Sequence, residues 1–296
     1  MPLLEAVPNV SEGRDPALVQ RLAAALGGAA GVRLLDVSSD PDHHRSVLTA
    51  VGEPAALEQG VVDLYRVALA GLDLRGHAGA HPRVGIVDVV PLVPLAGASM
   101  ADAVAAARRL AQTVGDELGV PVFLYAEAAR VEGRTTPAAL RRGGFQALVD
   151  AVHAGELRPD HGPARVDPRV GVTLIGARGF LVAWNVRLAT GDVGVARAVA
   201  KAIRERDGGL PGVQALGLYL ESRRRAQVSV NLLLPSPTTL STLVDRIRDE
   251  AGGRGVEIES SELVGLVPED VVLRAAAAAL RLPVLLPDRI LERRLR

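Results

Sequence analysis

Short apolar runs of strand length alternate along this chain with longer stretches of helical period, and their order repeats. Leu3 to Val7 reads as a strand and Pro16 to Leu26 as a helix, with Asp15 placed to cap it and Pro16 at the first helical position. Two strands, Val32 to Val37 and Ser46 to Val51, flank the polar loop Ser38 to Arg45, and a second helix is expected from Pro54 to Ala70. A glycine-rich loop then feeds an apolar strand, Val84 to Val90. Ser99 with Asp102 three residues on has the form of a capping box, opening a helix from Met100 to Leu118 before a strand from Val120 to Tyr125.

From Phe180 the same order returns: strand to Leu188, helix Val193 to Arg206, strands Val213 to Leu220 and Gln227 to Leu233, helix Thr239 to Ala251, and a closing strand Val256 to Glu259. The expected fold is therefore α+β, two ferredoxin-like βαββαβ subdomains with mainly antiparallel sheets. The join is placed in the Gly, Pro and Arg-rich stretch Pro159 to Arg169 or shortly after it. This gives subdomains of residues 1–178 and 179–296.

Composition narrows the chemistry. Of 296 residues 48% are hydrophobic, enough for a substantial core, and the 34 basic and 34 acidic residues balance. No net field draws the chain to nucleic acid, and no apolar run has the length of a membrane span. The start, Met1-Pro2-Leu3-Leu4-Glu5, lacks a signal peptide's basic region, so the expected location is cytoplasmic. Cysteine is absent, which removes disulfides, thiol nucleophiles and cysteine-bound metals and leaves nitrogen and oxygen groups to do any catalysis. Lys201 is the only lysine, so arginine carries almost all the positive charge.

Two segments concentrate reactive groups. Gly76-His77-Ala78-Gly79-Ala80-His81-Pro82-Arg83-Val84-Gly85 presents two imidazoles and a guanidinium among small residues, and Pro82 confines His81 to extended backbone. An imidazole can exchange a proton near neutral pH, as general acid–base catalysis requires. His77 would share a face with His81 only on a helix, which the glycines oppose. The second segment, Asp40-Pro41-Asp42-His43-His44-Arg45, packs two carboxylates, two imidazoles and a guanidinium into six residues. It reads either as a lining of a substrate site, with Arg45 forking onto a carboxylate, or as a solvated turn capped by Asp40. Adjacent residues seldom all turn to one ion, so no metal is expected there.

The chain resembles the formiminotransferase family nearly end to end. The resemblance is carried by Glu5-Ala6-Val7-Pro8-Asn9-Val10-Ser11-Glu12-Gly13, by Ser39 to Val47, and by His81-Pro82-Arg83-Val84-Gly85 with Asp88-Val89-Val90-Pro91. Pro121 to Arg130, Gly176-Ala177-Arg178, Ala226 to Leu232 and Glu262 to Pro268 follow in order. The resemblance implies a ligand cleft or tunnel between the subdomains, a homodimer, and transfer of the formimidoyl group of N-formimidoyl-L-glutamate to N5 of tetrahydrofolate in histidine catabolism. Tetrahydrofolate would be a co-substrate, with no metal. His81 matches the catalytic histidine, and Asp40, His44, Arg45 and Arg83 fall in the substrate-binding motifs. The segment Gly162, Pro163, Ala164, Arg165, Val166, Asp167, Pro168, Arg169, Val170, Gly171 matches the folate-binding loop, although it also reads as an inter-subdomain linker. Glu127, at a strand end, would bond an amidinium or pterin nitrogen or else begin a surface helix. Asn9 and Glu12 are assigned to loop geometry before catalysis.

The chain departs from the family pattern at Ala78 and Ala80, where members commonly carry Lys and Glu, at His44, which replaces an asparagine, and at Ala126, which replaces a glycine. The missing charges leave two alternatives open: a related folate-dependent one-carbon transferase with a different formimidoyl or formyl donor, or a catalytically weak folate-binding protein. With Arg296 as the last residue there is no room for the cyclodeaminase domain fused to this module in some relatives, so the following step is expected of another protein.

Overall fold

The computed structural model describes residues 1–132 and 136–295, and the chain falls into two compact units, Met1–Gly179 and Phe180–Arg296. In the first, β1 (Leu4–Ala6) and β2 (Asn9–Val10) make one strand interrupted at Pro8. They are followed by α1 (Pro16–Gly28), β3 (Arg33–Asp40), β4 (Arg45–Gly52), α2 (Pro54–Gly71) and β5 (Val87–Pro94). The sequence continues with α3 (Met100–Gln112), β6 (Val122–Ala126), the short α4 (Pro137–Leu140), α5 (Gly144–His153) and β7 (Thr173–Ala177).

Across this sheet the order is β3, β4, the β1/β2 strand, β5, β7, β6. The first four positions are antiparallel, as a βαββαβ unit requires, whereas β5–β7 and β6–β7 are parallel. The expected extra strand β6 therefore does not lie beside β5; β7, which the apolar pattern did not single out, separates them. Asp15 accepts from the Ala17 and Leu18 amides at 2.9 and 3.0 Å, and the Ser99/Asp102 capping box is complete. The helix opened by Ser99 ends earlier than its pattern implied, passing into one π turn at Thr113–Glu117. Within that turn Gly115 packs so closely on the chain at His161 and Gly162 that a Cβ would lie 2.6 Å from the Gly162 amide nitrogen.

Leu22, Leu26, Leu57, Leu64 and Leu110 are fully buried between α1–α3 and one face of the sheet. At roughly 1.5–3 kcal/mol per buried large side chain, this layer is a main source of the unit's stability. On the opposite face, Val89, Phe123, Tyr125 and Leu174 pack with Leu148, Val149 and Val152 of α5. The Pro159 to Arg169 stretch is not the join between units. It lies inside the first one, where Leu74 N–H donates to Arg169 O at 2.8 Å and Ile86 N–H to Val170 O at 2.9 Å, and the chain then enters β7.

The second unit contains β8 (Leu181–Leu188), α6 (Val193–Ile203), β9 (Val213–Leu220), β10 (Arg225–Leu233), α7 (Leu240–Gly252), β11 (Ile258–Val264) and α8 (Glu269–Ala279). Its sheet runs β11, β8, β10, β9, wholly antiparallel. Alternation places Ala226, Val228, Val230 and Leu232 in the core. Among the described residues no helix is long and apolar enough to cross a membrane.

Candidate active site

Two loops meet at the N-terminal end of β5. One is the turn between β3 and β4; the other runs from His77 into β5. Ala80 N–H donates to Asp42 O at 2.9 Å, and Arg14 ties the two together through Pro41 O at 2.9 Å and Ala78 O at 2.7 Å. Gly79 permits this approach, because a Cβ there would sit 2.3 Å from the His43 carbonyl oxygen.

Arg45 opens β4 and projects from the sheet face opposite Leu48. Its Nε donates to Asn9 Oδ1 at 2.9 Å and its Nη2 to the same oxygen, while Asn9 Nδ2 donates to Val7 O at 2.7 Å and so fixes the amide's orientation. Arg45 Nη1 lies 2.6 Å from Nδ1 and 3.1 Å from Nε2 of His81. His81 Nδ1 is also 2.8 Å from Pro82 O, and it serves one neighbour at a time, accepting from Arg45 Nη1 when bare and donating to Pro82 O when protonated. In either tautomer the bare ring nitrogen lies within hydrogen-bond reach of the guanidinium. Burial and the charges of Arg45 and Arg141 hold the imidazole well below its ordinary pKa of 6.5, so it is neutral at pH 7. Burial also lowers Arg45 to about 10, against the opposing pull of Asp88, and it stays charged.

Asp88 is the anchor beneath. Its side chain is almost fully enclosed, it accepts from Val84 N–H at 2.8 Å and from Arg141 Nη2, and it lies 3.6 Å from Arg45 Nη1. The pairing of β2 with β5 shifts register beside it, between Asn9 and Val10. The His43 ring stands edge-on to His81 with centroids 6.0 Å apart.

A second cluster adjoins the first. The His44 and His77 rings lie 4.1 Å apart, and His77 Nε2 donates to His44 O at 2.8 Å. Burial, the leading cause for both, lowers His44 and takes His77 to about 4. His44 sits at φ +49°, in the left-handed region that asparagine tolerates better than most residues. Glu12 Oε1 is 3.7 Å from His44 Nδ1 but is bonded to the Arg14 and Asp15 amides at 2.6 and 2.9 Å. Arg83 donates to His77 O. Ser11, His44, Arg45, His77, His81 and Arg83 are among the residues lining a cavity of about 10 Å³, room for a single water, so this is the polar floor of a site. A larger cavity, of about 600 Å³, lies by Gly31, Pro54 and Arg109 and is lined by none of the expected site residues.

The structure thus gathers His81, Arg45, His44 and Arg83, and His77 joins them without a helix. Asp40 belongs to the same turn, where it caps the backbone: its Oδ1 accepts from His43 N–H at 2.7 Å. Glu127 is not brought in. It is exposed, beyond the C-terminal end of β6, while Asp88 lies at the N-terminal end of parallel β5. The folate-loop segment divides. Val170 and Gly171 pair with Ile86 and Gly85 beside the His81 loop, whereas Gly162 follows His161, which bridges to Val122 on β6, two strands away across the sheet. Pro163, Ala164, Arg165, Asp167 and Pro168 are exposed, Val166 is buried, and Arg169 donates to Leu69 O at 3.1 Å.

Of the other members, His43 and Asp88 enter the sequence reading only as parts of longer motifs, Asn9 only as loop geometry, and Arg141 not at all. Asp88 carried a signal, a lone charge within the apolar run Val84 to Val93. Arg141 carried none, since only folding brings it to Asp88. Among the described residues no group of three or more His, Asp or Glu side chains converges as metal ligands would.

The first unit is a mixed and the second an antiparallel ferredoxin-like α+β unit, and the first holds a guanidinium-backed neutral histidine suited to proton transfer. Residues 3–178 match the formiminotransferase domain's N-terminal subdomain and residues 183–282 the formiminotransferase domain, and the chain belongs to this family. It is 40% identical, over all of its length and 98% of the relative's, to a glutamate formimidoyltransferase of Thermoplasma acidophilum. It is 36% identical to one of Streptococcus pyogenes, covering 93% of this chain and 92% of that one. With the formimidoyltransferase-cyclodeaminase of Rattus norvegicus it shares 40% identity over 93% of its own length, and it spans 52% of that protein.

Proposed function

We propose that the protein is a glutamate formimidoyltransferase, moving the formimidoyl group of N-formimidoyl-L-glutamate to N5 of tetrahydrofolate in histidine catabolism. The observation that carries this reading is the neutral His81 held against Arg45, in a chain similar throughout to relatives of that name. With it go tetrahydrofolate as co-substrate, no resident metal, a cytoplasmic location and a homodimer, all resting on the family.

His81 serves as base and then as acid. The bare ring nitrogen takes the proton that N5 loses as it bonds to the formimidoyl carbon, and returns it to the glutamate nitrogen as the old C–N bond breaks. For N5 to reach that nitrogen, Arg45 Nη1 must swing away towards Asp88, 3.6 Å off. Nε and Nη2 of Arg45 are committed to Asn9, so its role is to poise His81. Arg83, half-buried beside the cavity, is better placed to meet a donor carboxylate. Val170 and Gly171, against the His81 loop, fit the start of the folate tail.

The test is formation of 5-formimidoyltetrahydrofolate and glutamate by the purified protein beside His81→Ala. Turnover falling about 10²–10⁴-fold in the variant supports the reading. Equal or faster use of N-formylglutamate by the intact protein overturns the choice of donor.

A further inference from the structure

The sheet face that carries Asn9 and Arg45 also carries Glu5. The strand positions Glu5, Val7 and Asn9 alternate onto this face, opposite Val51 on β4 for Glu5 and Val47 for Asn9. Glu5 and Asn9 are thus about 13 Å apart along the strand, at roughly 3.3 Å per residue. Glu5 is half-buried, and no hydrogen bond meets its carboxylate among the described residues. The charge that acts on it is that of Arg178, which follows β7, donates to Gly179 O at 2.8 Å and is hydrogen-bonded to the Tyr125 hydroxyl. Burial outweighs that charge and raises the Glu5 pKa above 4.5. Val7, whose N–H donates to Pro91 O at 3.1 Å, lies between Glu5 and Asn9.

A carboxylate in this condition suits a ligand that brings two parallel N–H donors, the fork geometry that makes such pairs strong and directional. The 2-amino group and N3–H of a reduced pterin are such a pair. They sit at the end of the fused rings remote from N5, while the benzoyl-glutamate tail leaves from the N5 side. With N5 at His81, the fused rings would lie along the strand face towards Glu5, and the tail would leave on the side where Val170 and Gly171 pair with Ile86 and Gly85.

Resting on the proposed transfer to tetrahydrofolate, we infer that Glu5 is the specificity-determining residue for the acceptor, binding the 2-amino-4-oxopyrimidine edge of the pterin. Arg178 and Tyr125 would hold the far side of that edge's site.

The experiment compares the full chain with Glu5→Gln, using tetrahydrofolate and an analogue lacking the 2-amino group, each by direct binding and by KM. Gln offers one acceptor and a misplaced donor. Glu5→Gln is expected to raise Kd and KM for tetrahydrofolate about 10- to 100-fold, with KM for N-formimidoylglutamate unchanged and the melting temperature not lowered. The intact protein should prefer tetrahydrofolate over the analogue, and the variant should lose most of that preference. Equal preference in both proteins, or a parallel rise in KM for both substrates, overturns the assignment of Glu5. An intact protein that binds no tetrahydrofolate overturns the proposed reaction as well, so the two failures are separable.

Discussion

Arg45 and His81, 36 residues apart in sequence, meet with Nη1 2.6 Å from Nδ1 and 3.1 Å from Nε2, a permanent cation against the lone pair of an imidazole. The arrangement discourages protonation of His81 at rest. It also makes the imidazolium, once formed by taking a proton from substrate, a strong acid that gives the proton up readily. A group that must be base and acid within one turnover gains from both effects, and Asp88 keeps the guanidinium from being an isolated buried charge.

The pH dependence of kcat/KM follows. Since base catalysis needs neutral His81 and its pKa lies well below 6.5, activity should stay level from pH 7.5 to below 6 and fall only at lower pH. Arg45→Gln removes the nearest positive charge, so the imidazole pKa rises and the acid limb moves upward towards 6.5, along with a drop in the plateau. A profile whose acid limb is unmoved in the variant would contradict this account.

Asp88→Asn should be among the costlier single changes. The amide oxygen can still accept from Val84 N–H, but Arg45 and Arg141 lose their shared counter-charge in an enclosed setting. Removing one partner of a buried ion pair costs roughly 3–5 kcal/mol. Urea unfolding should show that loss, and Arg141→Met added to Asp88→Asn should recover part of it, since one stranded charge then disappears.

How much of this was legible depends on range. Caps at Asp15 and Ser99, the alternation in β10 and the βαββ order depend on neighbours a few positions apart, and they could be read directly. The expected strand from Val84 begins only at Val87, because Gly85 and Ile86 are taken up by Gly171 and Val170, more than eighty residues on. α5 starts at Gly143 and Gly144, residues that disfavour helices, and is held by burial of Leu148 and Val152. The same limit governs the site. His81 and Arg45 stood out within dense local motifs, whereas Asn9 and Arg141 have meaning only through partners 36 and 53 positions away.

Acidification should destabilise the fold through His77. Its native pKa is about 4 and its unfolded value about 6.5, so between these the unfolded chain binds more protons and stability falls as pH is lowered from 6.5 to 4. His77→Gln cannot titrate, so its melting temperature should decline less over that window. Allowing for partial exposure the difference is on the order of 1 kcal/mol, or about 2–4 °C. Equal slopes for the two proteins would exclude His77 as the source.

Gly79 and Gly76 offer a controlled comparison within one loop. Neither has a positive φ, so alanine is acceptable to the backbone at both, and they differ in what a methyl group would meet. At Gly76 nothing lies within 4 Å, while at Gly79 the His43 carbonyl oxygen is 2.3 Å away and the His44 Cβ 2.9 Å. Backbone cannot yield as a flexible side chain can, so Gly79→Ala must part the two loops. That strains the Ala80 to Asp42 hydrogen bond and widens the space in which His81 meets Arg45. Overpacking of this kind costs about 1–3 kcal/mol, and a displacement near 1 Å in a catalytic pair lowers rate about 10²-fold. Gly76→Ala should leave kcat near the parent value and stability the same or slightly raised, by reducing the freedom of the unfolded chain. If the two variants lose activity alike, loop flexibility and not the fit of Gly79 against His43 is what the site requires.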